Sequence, residues 1–409
     1  MSDEFSELSN KLTKEFSSKT KKNEGIFFTH PKIVKKIVDY LKTTRHLKFT
    51  DIKILEPSCG SGEFIDYIDK KIRKKTIHAI ELNKKIYDEV SQKDYSDAVK
   101  FFNQDYLQYD TDDKYNLIIG NPPYFVIPKK DVPEKYKEYI TGRPNIFCLF
   151  ILHSLDKLEN DGMLVFVLPN SFMNSSYYEK VRKLILEKYD LFKIMNFKND
   201  PLFKDTLQPT SAFFIRNKIR KKTSPMVYEF NSISLFTDKK KLFQNLVKNS
   251  KTLTELGFIV KNGDTVWNQL KDKMSDDKND MLLIYTDNIK THTFKLTSFK
   301  TKEKKQYIKT DRTGNTEPCI IISRGYGNAT YAFNYALLNI DDESYLHENH
   351  IIGIFYKNSE STRDEKIEKL DKVIESFNNP KTKEFIENFS GSNALNTTEI
   401  KSILPIYDF

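Results

Sequence analysis

Short apolar runs alternate with amphipathic stretches through the first half of the chain. Residues 52–55, 76–80, 98–102, 116–120 and 163–168 each have the length and the branched or aromatic content of a buried strand. Between them, Ile33, Val34, Ile37 and Val38 fall at helical spacing, and residues 64–71, 145–158 and 181–187 read as further helices. Residues 190–197 and 211–215 add two strands, and Asp161-Gly162 reads as a turn. Strand–helix alternation predicts an α/β domain with a doubly wound, Rossmann-like sheet. If the strand order is 3-2-1-4, strands one and four are neighbours where the order reverses. A ligand crevice then lies past their carboxyl ends.

The pattern changes after the basic stretch Lys218, Arg220, Lys221 and Lys222. Residues 232–236 lead into a Lys-rich helix over 239–248, residues 351–355 read as a strand, and 366–377 and 382–389 as helices. The expected organisation is a polar arm over 1–20, the α/β domain over 21–222, and a second, mixed α+β domain over 223–409.

Composition sharpens this. The chain has 409 residues, 38% of them hydrophobic, which suits two packed domains. A net charge of +9 points to a polyanionic partner or to a solvated lysine surface. Cys59, Cys148 and Cys319 show no paired spacing, so neither a disulfide framework nor a zinc site is expected. Leu346-His347-Glu348-Asn349-His350 lacks the spacing of a zinc-binding helix. No signal peptide or membrane-spanning run is expected, which implies an intracellular, cytoplasmic protein.

Chemistry concentrates at the predicted strand ends. Residues 116–120 run into Asn121-Pro122-Pro123-Tyr124. The prolines lack N–H groups, so this turn offers acceptors beside an aromatic ring, a grip for an amino group. Residues 52–55 run into Glu56-Pro57-Ser58-Cys59-Gly60-Ser61-Gly62. An acid ahead of the glycines disfavours a pyrophosphate and suits a ligand carrying ammonium or sulfonium. Glu81 ends the second strand about twenty residues on, where such folds place the acid that binds ribose. Asp105 and Tyr106 follow the third strand and suit an adenine amino group and ring. Thr29 ahead of Pro31 reads as a helix N-cap.

These motifs, in this order after Phe28-Thr29-x-Pro31, resemble the S-adenosylmethionine-dependent DNA adenine-N6 methyltransferases of the gamma class, with the look of a type II modification methylase. The resemblance implies that Thr29, Glu56, Ser58, Gly60 and Gly62 hold the methionine part of the cofactor. It implies further that Glu81 holds the ribose and Asp105 the adenine amine, with Tyr106 and Pro123 packed on that ring. Asn121 and the Pro122 carbonyl become the acceptors that draw the target amine toward tetrahedral geometry. The base is flipped out of the duplex, between Tyr124 and Phe203. The second domain becomes the target-recognition domain, where Trp267, Arg324, Tyr326 and Asn328 are the expected DNA contacts. The implied cofactor is S-adenosylmethionine without a metal. The implied partners are double-stranded DNA and a separately encoded restriction endonuclease, with the enzyme itself a monomer. His30 stands where the family often has proline. Alternatives share the amine chemistry: methylation of RNA adenine-N6, DNA cytosine-N4 or a protein glutamine, or an inactive cofactor-binding recognition subunit.

Overall fold

The computed structural model describes residues 4–44, 46–197, 209–219, 224–230, 233–324, 333–341, 343–389 and 395–409. They form two compact units. One comprises residues 1–229 with 233–240, the other residues 230–232 with 241–409.

The first unit is built on α1 (Glu7–Glu15), α2 (Ser18–Glu24), α3 (Pro31–Thr43), β1 (Ile52–Glu56), α4 (Glu63–Lys71), β2 (Lys75–Glu81), α5 (Lys84–Val90), β3 (Val99–Asn103), β4 (Tyr115–Gly120), α6 (Ile146–Leu155), β5 (Leu158–Pro169), α7 (Glu179–Lys188), β6 (Asp190–Asn196) and β7 (Thr210–Arg216). The seven strands make one sheet in the order β3-β2-β1-β4-β5-β7-β6. Strands β1 to β5 pair in parallel, with Ile54 opposite both Ile77 and Leu117. Only β7 runs against its neighbours β5 and β6. The sheet is thus doubly wound and Rossmann-like, and its order reverses between β1 and β4 as the alternation predicts.

Both faces are covered, which is why the strands read as unbroken apolar runs. Ile54, Ile77 and Ile119 pack on one face with Ile33, Ile37, Ile65 and Ile68 from α3 and α4. Leu55, Ile80, Ile118 and Leu164 pack on the other with Phe147, Ile151, Val181 and Ile185 from α6 and α7. The expected turn at Asp161-Gly162 instead lies inside β5. Asp161 takes a left-handed φ of +62° there, so the strand bends and continues.

In the second unit, strands Phe258–Asn262, Ile351–Tyr356, Cys319–Ser323 and Tyr335–Leu338 form an antiparallel sheet. Strands Met274–Ser275, Tyr307–Ile308, Met281–Ile284 and Tyr345–His347 form a second, mixed one. Helix Arg363–Asn378 opens with a reciprocal cap between Thr362 and Glu365, so it begins three residues before the expected start. His347 is buried, and burial pushes its imidazole down to about 4. His350 Nδ1 meets Glu348 Oε1 at 2.6 Å. Among the described residues no helix is long and apolar enough to cross a membrane, and no cluster of acidic, histidine and cysteine side chains is arranged to hold a metal.

Candidate functional site

The turn after β1 is short because Gly60 and Gly62 both take left-handed backbone, with φ of +53° and +84°. It is tied to the end of β2. The Cys59 amide donates to the Ile80 carbonyl at 2.9 Å, and the Gly60 amide donates to Glu81 Oε2 at 2.9 Å. The other Glu81 oxygen accepts from the Asn83 amide at 2.8 Å. Burial raises the Glu81 carboxyl above its usual range against the pull of these donors. Glu56, the last residue of β1, is 3% exposed, and its Oε2 is buried with no hydrogen-bond partner. Burial, then the carboxylates of Asp66, Glu81 and Glu63, push the Glu56 carboxyl well up. Leaving such an oxygen unmet costs about 1–3 kcal/mol. An orphaned acid in a cavity wall calls for a cationic ligand.

The turn after β4 lies beside it. The Ser58 hydroxyl donates to the Asn121 carbonyl at 3.3 Å, joining the two turns. Asn121 Nδ2 donates to the Phe27 carbonyl at 3.2 Å. Asn121 Oδ1 faces the Tyr124 hydroxyl, which also lies 2.6 Å from the Val167 carbonyl of β5. The Tyr124 ring meets Phe147 edge-on, with centroids 6.1 Å apart.

A cavity of about 400 Å³ opens here, at the carboxyl ends of β1, β2 and β4. Ser58, Gly60, Glu81, Asp105, Tyr106, Asn121 and Pro123 line it, so the structure brings most of the expected cofactor residues together with Asn121 around one cavity. A recess of about 30 Å³ adjoins it, lined by Thr29, Glu56, Ser58, Gly60 and Asn121. Gly62 faces elsewhere, against Tyr95 and Val90. Asp105 has both oxygens engaged, Oδ1 by the Leu107 amide at 2.9 Å and Oδ2 by Gln108 Nε2 at 3.2 Å. Tyr106 turns its hydroxyl to Ser154 of α6 at 2.8 Å.

Thr29 does not cap α3. His30 does, its Nδ1 accepting from the Lys32 amide at 3.2 Å. The proline therefore enters at the first helical position one residue after the imidazole, and Thr29, 6% exposed, is left for the recess.

Sequence reasoning missed the part played by the N-terminal helices. Asn23, Glu24, Gly25, Ile26, Phe27 and Phe28 line the cavity. Ser6 and Ser9 at the start of α1 donate to the Glu63 carboxylate that opens α4, and Ser9 reaches Ser61 at 2.7 Å. Leu12 is fully buried. The apolar signal for α1 is only Leu8 and Leu12 amid polar residues, so the segment reads as an arm.

Residues 7–203 match the family described as Eco57I restriction-modification methylase, and the match takes in both turns and the cavity between them. The chain is also similar to curated relatives. It is 28% identical over 412 aligned residues to the type II methyltransferase M.CvrRI of Paramecium bursaria Chlorella virus XZ-6E, covering 98% of this chain and 99% of that one. It is 32% identical over 221 residues to the modification methylase CviBIII of Paramecium bursaria Chlorella virus NC1A, covering 53% of this chain and 55% of that one. Among solved structures, the type IIG restriction endonuclease BpuSI is 12% identical with a TM-score of 0.47, covering 98% of this chain and 60% of that one.

Three of the expected contacts, Phe203, Tyr326 and Asn328, lie outside the described residues. Trp267 is half-buried and packs beside a cluster of Met274, Tyr285 and Ile308. Its ring lies 5.7 Å from the Lys304 ammonium, which also sits over Tyr285 and Phe299. Arg324 is exposed, with its main-chain amide bound to the His350 carbonyl at 2.9 Å.

Proposed function

We propose that the protein methylates the N6 amino group of an adenine flipped out of duplex DNA, with S-adenosylmethionine as methyl donor. The observation that carries this is that Asn121 lines both the cavity that holds the strand-end acid Glu81 and the adjoining recess that holds the orphaned, buried Glu56 carboxylate. Bound there, S-adenosylmethionine supplies an electrophilic methyl group on a sulfonium. Glu56 and Thr29 suit its ammonium end in the recess, and Glu81 suits the ribose hydroxyls. Asp105 keeps lone pairs for an adenine amine, and Pro123 and Tyr106 offer apolar faces. Asn121 Oδ1 and the Pro122 carbonyl accept the two hydrogens of the target amine and turn its lone pair outward. Positioning and fixed dipoles supply the rate, with Tyr124 beside the flipped base. The names of the type II relatives and the net charge of +9 support DNA as the polyanion.

The test is to express the protein, sequence the host DNA and identify modified bases. N6-methyladenine in one short sequence is expected. N4-methylcytosine would redirect the reading to the other exocyclic amine, and unmodified DNA would overturn it. Asn121→Ala should bind S-adenosylmethionine normally and lose about a hundredfold or more in turnover. Full turnover by that variant would refute the acceptor role.

A further inference from the structure

An amide has one acceptor end and one donor end. To receive a hydrogen from an amine, Asn121 must present Oδ1 and keep Nδ2 away. The Phe27 carbonyl fixes this choice, because it accepts from Nδ2 at 3.2 Å and could accept nothing from an oxygen. Oδ1 is not idle, since the Tyr124 hydroxyl lies on it. Yet the same hydroxyl lies 2.6 Å from the Val167 carbonyl. A phenol has one hydrogen, so it serves one of these acceptors at a time. Burial holds the phenol well above its ordinary range, so it remains a donor and only its direction can change.

We infer that the Tyr124 hydroxyl is a hydrogen-bond gate on Asn121, closed on Oδ1 when no amine is present and turned to the Val167 carbonyl when one arrives. The inference rests on the methyl-transfer reading and deepens it. Phe27 and Val167 are then positioning residues that act through their main-chain carbonyls. The rotation moves no heavy atom, because both acceptors already surround the hydroxyl. The gate keeps a part-buried acceptor satisfied between turnovers. It also sets how strongly the site prefers a base bearing an amine. A base without one leaves the gate closed and Oδ1 paired. Without the hydroxyl, such a base would cover an unmet oxygen.

The test compares binding of two duplexes, one with adenine at the target position and one with purine, which lacks the 6-amino group. Each is measured with wild type and with Tyr124→Phe, which keeps the ring and its packing on Phe147. The ratio of the purine Kd to the adenine Kd should rise about threefold to tenfold in the variant, the net effect of one hydrogen bond made or not made. A purely structural hydroxyl would shift both duplexes alike, and an unchanged or smaller ratio overturns the gate. The wild-type control separates the two ideas. Wild type that methylates no duplex overturns the functional reading and the gate with it. Wild type that methylates while the ratio stays flat overturns the gate alone.

Discussion

Glu56 concentrates the chemistry of the site into one side chain. It ends a buried strand, has an unmet oxygen, and stands among Asp66, Glu81 and Glu63. Its carboxyl is therefore raised above the ordinary value of 4.5. A raised acid favours its protonated form in the fold. The contribution of Glu56 to stability is thus fully present below pH 4.5 and is lost as pH rises through the folded value. A cationic ligand reverses the preference and draws the proton off. Affinity for S-adenosylmethionine should accordingly climb with pH above 4.5 in the wild type and lie flatter in Glu56→Gln, measured by calorimetry. At neutral pH the ligand-free Glu56→Gln protein should melt higher than wild type while binding the cofactor more weakly. A variant that melts lower would show the carboxylate to be satisfied within the protein.

At the scale of elements, the site is held by turns that meet across long sequence separations. Gly25 ends α2 in left-handed backbone, with φ of +66°. A Cβ there would lie 2.6 Å from Cβ of Pro123 and 3.2 Å from Phe125. The close approach lets the N-terminal helices lie against the turn after β4. Gly25→Ala combines backbone strain of about 1–2 kcal/mol with this clash. It should lower the melting temperature and weaken cofactor binding together, since the segment after α2 lines the cavity. A variant that melts lower but binds normally would separate the packing of α2 from the shape of the site. The polar links from Ser6 and Ser9 to Glu63 span more than fifty residues and involve no apolar position. No periodicity along the chain encodes them.

For the molecule as a whole, charge bears on the proposed DNA partner. Lysine and arginine outnumber the acids by nine, and contacts to phosphate release counterions on binding. Affinity for duplex DNA should fall steeply with salt, with a log–log slope of about −0.9 per phosphate contacted, whereas cofactor affinity should change little. Arg324 is exposed in the second unit. Arg324→Ala should weaken DNA binding without altering the melting temperature, and a reduced salt slope would mark it as a phosphate contact. A slope near zero in the wild type would argue that the lysine excess is only a solvated surface. Trp267 suits a DNA contact less well, because its ring packs within its own unit against Lys304 and a buried cluster.

The sequence by itself determined the order of strands and helices, both turn motifs and the acids at the strand ends. Each depends on local periodicity or on a residue adjacent to a strand terminus, and short-range sterics act on these directly. It misjudged the cap of α3, where a histidine nitrogen does what the preceding threonine was expected to do. It also took the strand β5 as starting after a turn that the strand in fact passes through. Only the tertiary structure decided that the end of α2 borders the cavity, that α1 is tied to Ser61 and Glu63, that Glu56 is left without a partner, and that the Tyr124 hydroxyl stands between two acceptors. Those facts depend on which distant groups reach hydrogen-bond distance after packing, and hydrophobic patterning along the chain carries no record of that.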